Sequence, residues 1–408
     1  MPVIAIFSGT YCNENAVVQD LCKRTGYDLV TDTQLIGEAS RASGIPEPKI
    51  ERAFSARLSV FNKFTHERER SIAHLRFVLA QHLVGDNRVV EGSVSQLIPT
   101  DISHVLRVCL IADMKTRVAA AADHLKVSQH DAVKLIHKQE ADCAAWTQTV
   151  RGQSDPWDAG LYDMVLPTDK LTVEAMVDSI VDAAQAAVVR STQRSQQLAR
   201  DFLLAAQVQV DLAQEGHSVM VEANGATVTL TINEHVLMLS RLENELKSIA
   251  SRIDGVKEVI TQVGPGFYQA DIYRKQDFSM PSKILLVDDE REFVQTLSER
   301  LLMRDMGSAV AYDGESALEV VREDEPDVMI LDLKMPGIDG IEVLRRVKAT
   351  QPEIEVIILT GHGSEADRIT CMQLGAFAYL QKPVDVEELS KTIKQANEKI
   401  QLKRQAQA

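Results

Sequence analysis

Apolar and polar positions divide this chain into stretches of different rhythm. Val3 to Phe7 is a continuous apolar run that passes through Ser8-Gly9-Thr10 into Ala16, Val17 and Leu21 at helical spacing, which predicts a strand, a loop and a helix. Further strand-like runs at Arg88 to Val90 and Val105 to Ile111 are separated by long helical stretches, so residues 1–190 read as an α/β domain on a mainly parallel sheet. From Val173 to about Gln214 the text is rich in Ala, Gln and Val, which predicts one long helix or two end to end, with residues 191–216 as a connecting helix or a dimer seam.

The rhythm then changes to period two. Val219 and Val221 alternate, Asn224-Gly225 supplies a tight turn, and Val228, Leu230 and Ile232 alternate again, a hairpin signature. A helix over about Glu234 to Arg252, Asp254-Gly255 and a strand Val256 to Val263 complete a β-β-α-β module over residues 217–266. The polar stretch 267–282 reads as a linker, and no internal repeat is visible. From Lys283 to about residue 400, five apolar runs alternate with helical segments: Ile284 to Val287, Ser308 to Ala311, Val328 to Leu331, Val356 to Leu359 and Ala378 to Leu380. Five such steps predict a doubly wound, five-stranded parallel sheet whose ligands sit at the carboxyl ends of its strands. The fold class is therefore multidomain α/β, and 408 residues accommodate these units.

Charge and cysteine usage narrow the chemistry. The net charge of −15 repels polyphosphate backbones, and no helix-turn-helix pattern follows the last strand, so DNA is not an expected partner. Five scattered cysteines, Cys12, Cys22, Cys109, Cys143 and Cys371, contain no CxxC pair and point to a reducing compartment. The amino terminus lacks the look of a signal peptide and no run approaches the ~18 apolar residues of a membrane span, so a cytoplasmic protein without membrane contact is expected.

The candidate chemistry lies at the strand ends of the last domain. The first of its strands ends in Asp288-Asp289, the third in Asp332, the fourth in Thr360-Gly361 and the fifth in Lys382-Pro383. Three clustered carboxylates repel one another and require a divalent cation, and an all-oxygen site that keeps water and phosphate ligands suits Mg²⁺. A lysine opposite them supplies a compact positive charge, and a threonine hydroxyl can hydrogen-bond an oxygen that exists only after modification. Residues 283–399 resemble the response-regulator receiver domain. The resemblance implies that Asp332 is the phosphoacceptor, that Asp288, Asp289 and the Lys334 backbone carbonyl join it in holding Mg²⁺, and that Thr360 and Lys382 engage the phosphoryl group. It further implies that Tyr379 is the aromatic that swings inward with Thr360, and that a histidine kinase or phosphotransfer protein is the donor.

At the other end, Gly9 invites a phosphate-loop reading that the chain does not complete. In the pattern G-x-x-x-x-G-K-[ST] the second glycine falls on Glu14, the lysine on Asn15 and the hydroxyl on Ala16. A glutamate there repels phosphate and no ammonium offsets it. Residues 1–185 nevertheless resemble the cytidylate-kinase-like family of P-loop nucleotide kinases, through Val89-Val90-Glu91-Gly92-Ser93, Val105 to Ile111, Asp113 to Arg117 and Leu161-Tyr162-Asp163-Met164-Val165-Leu166. Departures gather where phosphate chemistry would sit: Cys12-Asn13-Glu14-Asn15 replaces a Gly-rich loop, Ser93 a Gly-Arg arginine, and Glu140 and Cys143 a helical Asp-x-x-Arg pair. Without positioned cations, phosphoryl transfer loses most of its electrostatic stabilisation. The domain reads as a pseudokinase with Gly9, Thr10, Asn13 and Asn15 marking a degenerate nucleotide site, and Arg117 and Arg107 read as surface residues.

The β-β-α-β module resembles the BON domain through Gly225 and Asp254-Gly255-Val256, which implies an interaction module. His130 and His137 read as helix-surface residues, Trp146 and Trp157 as core or cover, and Cys143 as a small apolar group. The expectation is a two-component response regulator whose kinase-like region contacts an unidentified downstream protein, with a homodimer permitted by the long helix. The alternatives are a receiver-regulated, cytidylate-type kinase using ATP and a structural scaffold with a vestigial receiver.

Overall fold

In the computed structural model, which describes residues 2–236, 238–268, 283–361 and 363–407, all five residues from Val3 to Phe7 are buried. A run buried on both faces suits the middle of a parallel sheet. β1 (Val3–Ser8) accordingly lies central among β2 (Asp28–Thr31), β3 (Arg88–Glu91), β4 (Val105–Ile111) and β5 (Met164–Pro167), in the order β2-β3-β1-β4-β5. Every pairing is parallel, with Ile4 opposite both Val89 and Leu106. The sequence pattern does not reveal β2, an edge strand in which only Val30 is buried.

The helices in chain order are α1 (Glu14–Thr25), α2 (Asp32–Ser43), α3 (Glu47–Glu51), α4 (Asn62–Thr65), α5 (Glu67–Leu83), α6 (Met114–Leu125), α7 (Gln129–Arg151), α8 (Val173–Gln185) and α9 (Gln193–Gln214). The chain divides into two compact units, residues 1–58 with 67–273 and residues 59–66 with 274–408, so α4 belongs to the second. In the first unit, Val17 and Leu21 of α1 and Met176 and Ile180 of α8 cover Ile4 and Ile6. The opposite face of β1 packs beneath Leu35, Leu75, Leu79, Trp146 and Phe202.

α9 opens on a reciprocal Thr192–Ser195 capping box and is shared between two clusters of its own unit. Ala199, Phe202 and Ala206 join the core under the sheet, while Ala205, Val208 and Leu212 pack on the small module. These residues are covered by the same chain, so the dimer seam that the periodicity allowed is taken up internally. The module pairs β6 (Met220–Asn224) with β7 (Thr227–Ile232) antiparallel, and β7 with β8 (Glu258–Val263) parallel. Gly225 sits at φ 61°, a conformation the turn requires and glycine supplies. The intervening helix, α10 (Leu239–Ala250), starts five residues later than Glu234, and just before that point Asn233 packs against Gly264 and Gly266. Most of the linker expected at residues 267–282 lies outside the described residues.

The second unit carries β9 (Ile284–Val287), β10 (Ser308–Ala311), β11 (Val328–Leu331), β12 (Glu355–Thr360) and β13 (Ala378–Gln381), all parallel, in the order β10-β9-β11-β12-β13. Five helices alternate with these strands: α11 (Arg291–Leu302), α12 (Gly314–Asp324), α13 (Gly340–Thr350), α14 (Glu365–Gln373) and α15 (Val386–Gln407). Asp313, Asp339 and Ser364 each cap the helix that follows by accepting a backbone N–H. β9, β11 and β12 are buried throughout. The strand order reverses beside β9, which opens a crevice at the carboxyl ends of β9 and β11.

Candidate functional site

That crevice is where the sequence puts its acids. Asp288 follows β9 and Asp332 follows β11, at 4% and 6% exposure, while Asp289 faces solvent. One oxygen from each of the three lies within 4.8 Å of the others. The Asp288 Oδ1 accepts the Glu290 backbone N–H at 3.0 Å, and its Oδ2 accepts the Lys382 ammonium at 2.6 Å. Asp332 Oδ1 is buried with no partner among the described residues. A buried carboxylate oxygen left open beside two further acids fits a dication, which would satisfy the lone pair and neutralise the cluster. Burial pushes the Asp288 carboxyl above its ordinary value, opposed by the Lys382 hydrogen bond. For Lys382 burial pulls downward, but Asp288 and Glu290 outweigh it and hold the ammonium above its ordinary value. Lys382 therefore keeps its ammonium charge at neutral pH.

Thr360 ends β12 at 1% exposure, and its carbonyl accepts the Lys382 backbone N–H at 2.9 Å. Tyr379 lies on β13 opposite Ile358, two residues before Gln381, the ladder partner of Thr360. The Tyr379 hydroxyl is buried and reaches the loop after β12, where it comes within 1.7 Å of the place a side chain on Gly363 would occupy. Lys334 is exposed in the loop after Asp332. That loop is held close by Gly340, where a Cβ would stand 2.1 Å from the Asp332 carbonyl oxygen. Sequence reasoning overlooked Gly340, Gly363, Glu290 and Phe293. Glu290 Oε1 is 3.1 Å from the Lys382 ammonium, and the Phe293 ring centroid is 4.4 Å from it. Only the adjacency of Glu290 to the Asp-Asp pair could have signalled it.

The amino-terminal loop is built differently. Tyr11 and Asn13 both have positive φ, and Asn13 precedes α1 without a side-chain cap. The Gly9 N–H is engaged by the Leu110 carbonyl. Arg117, read from sequence as a surface residue, is buried at 6% exposure. Its guanidinium donates to the Thr10 carbonyl at 2.9 Å, the Thr10 hydroxyl at 3.0 Å and the Glu140 carboxylate at 2.6 Å. The sequence kept these residues apart because the contact joins the loop to α6 and α7 across more than a hundred positions. Asn13 and Asn15 are exposed. Nearby, Asp32 at the start of α2 accepts the Ser93 and Val94 N–H groups, and its burial pushes the carboxyl up to about 6 against them. Gly92 leaves the space for that carboxylate. Burial also raises the Glu91 carboxyl, aided by the charges of Glu14 and Asp32. The Cys12 and Cys143 thiols are each pushed up to about 11 by burial, so neither is a ready nucleophile.

Residues 284–394 match the family model of the response regulator receiver domain. The chain carries a receiver. Residues 3–170 match the cytidylate kinase-like family, to which the amino-terminal part belongs. The receiver region is 37% identical over 110 residues to the response regulator MprA of Mycolicibacterium vanbaalenii, covering 27% of this chain and 48% of that protein. The MprA of Mycobacterium ulcerans is also 37% identical over 110 residues, with 27% and 47% covered. The chain thus spans about half the length of the curated relatives it matches. Among solved structures, a response regulator receiver domain protein from Clostridium thermocellum is 37% identical over 29% of this chain and 96% of that one, at a TM-score of 0.29. The signal receiver domain of a putative LuxO repressor protein from Vibrio parahaemolyticus is 25% identical, with 32% and 98% covered and a TM-score of 0.31.

Proposed function

We propose that this protein is a two-component response regulator of the cytoplasm, phosphorylated on Asp332 by a histidine kinase and signalling through its kinase-like unit to a downstream protein. The observation that carries the reading is the open, buried Asp332 oxygen beside two acids and a lysine. In the reaction an Asp332 carboxylate oxygen attacks phosphorus, the P–N bond to the donor histidine breaks, and the electron pair leaves with the imidazole. Asp288, Asp289, Asp332 and the Lys334 carbonyl would hold Mg²⁺, which when bound neutralises charge on the phosphoryl oxygens. Lys382 offers its ammonium to the new anion and Thr360 its hydroxyl, drawing the loop that borders Tyr379. The expected outcome is Mg²⁺-dependent labelling by acetyl phosphate that is lost in Asp332→Asn. Labelling that survives the substitution would defeat the reading.

The family match and sheet order over residues 3–170 favour a second reading, a cytidylate-type kinase controlled by the receiver. Against it stands Arg117, whose guanidinium is engaged by Thr10 and Glu140 instead of being open to a phosphate. We take the kinase-like unit to be a pseudokinase. Titration of the full chain with MgATP is expected to give no binding heat, and CMP no turnover; saturable binding with turnover would reverse that assignment.

A further inference from the structure

Glu290 is the residue just before α11, and its side chain makes no capping hydrogen bond to that helix. Its carboxylate reaches instead to the Lys382 ammonium at 3.1 Å. The Lys382 side chain is 12% exposed, its ammonium held from the other side by Asp288 at 2.6 Å and roofed by Phe293. Glu290 is 66% exposed and lies outside the group of three acids whose oxygens converge.

A phosphoryl group on Asp332 would bring about −1.5 to −2 charge and three strong acceptors into the crevice. Lys382 must then share its three donors with the newcomer. Asp288 belongs to the acid cluster and is buried with it, so the contact that can be released at least cost is the exposed one. We propose that Glu290 is a positioning residue that competes with the phosphoryl group for Lys382, and thereby sets how long the phosphorylated state lasts. This rests on the assignment of Asp332 as phosphoacceptor. The bland alternative is a surface ion pair of no consequence, which is the usual fate of exposed pairs. The lysine's mostly covered side chain and its second contact to buried Asp288 separate this one from that class.

The test uses the full chain with Mg²⁺ and acetyl phosphate, following the decay of the label after the donor is removed. Glu290→Gln should lengthen the lifetime about two- to fivefold, the range a half-exposed ion pair supports, and Glu290→Asp should stay near wild type. In a Lys382→Ala background the Glu290→Gln change should have no further effect, since a double-mutant cycle isolates the contact. A lifetime unchanged by Glu290→Gln overturns the proposal, and so does an equal lengthening with and without Lys382, which would mark simple charge repulsion. Wild-type protein that takes no label overturns the phosphoacceptor assignment itself, an outcome distinct from labelled protein whose decay ignores Glu290. If Lys382→Ala labels poorly, a lifetime unchanged by Glu290→Gln still overturns the proposal.

Discussion

Single atoms decide the receiver crevice. The Tyr379 hydroxyl is buried because Gly363 has no side chain: a methyl there would meet the oxygen at 1.7 Å and Thr360 Cγ2 at 3.0 Å. Gly363→Ala is therefore expected to disfavour the inward ring by about 1–3 kcal/mol, the ordinary penalty of overpacking. Labelling of Asp332 should persist, because the acids and Lys382 are untouched. With 3-fluorotyrosine in the protein, the residue-379 resonance should sit at a solvent-exposed shift in the variant both before and after phosphodonor is added. A resonance identical to wild type would show that the glycine does not gate the ring. Arg117 teaches the complementary lesson, since its burial turns an arginine that could serve phosphates into an internal tie between a loop and two helices.

At the scale of elements, the last helix is fastened by one buried acid. Glu355 begins β12 at 1% exposure, with Lys399 and Lys403 of α15 at 2.9 and 3.0 Å and Lys348 of α13 at 3.9 Å. Arg404 adds a tie to Asp327 at 2.6 Å. Burial would raise the Glu355 carboxyl, but the lysines outweigh it and hold it below the ordinary value. A carboxylate lowered in the folded state contributes stability that is present above its unfolded value and lost as pH falls through the folded one. Glu355→Gln should cost about 1–3 kcal/mol at neutral pH, discounted because two of the lysines are half exposed. The difference from wild type should shrink as the pH is taken below about 4. Hydrogen exchange should quicken first in the last two turns of α15; unchanged protection there would show that apolar packing alone fastens the helix.

Across the whole molecule, legibility followed the range of the interaction. The five strands of the second unit were readable because each is a short apolar run, three of them buried on both faces, and the convergence of the three acids was readable because each falls at a strand end. The β-hairpin was legible from Asn224-Gly225 and strict alternation. Hidden from sequence were β2, whose single buried residue leaves no pattern, and the Arg117–Glu140 contact. Hidden too was the start of α10 at Leu239 and the packing of Asn233 on glycines thirty positions away. The internal sharing of α9 between two cores could not be told from a dimer seam, because periodicity says that a face is apolar and not what covers it. No helix among the described residues is long and apolar enough to cross a membrane.

The destination of the phosphoryl group is the decisive property of this protein. After treatment of the full chain with acetyl phosphate and Mg²⁺, reductive trapping of acyl phosphates and peptide mass spectrometry should find the modification at Asp332 and at no other carboxylate. A peptide spanning residues 328–334 that remains unmodified while the donor is consumed, or a label mapped elsewhere, would contradict it.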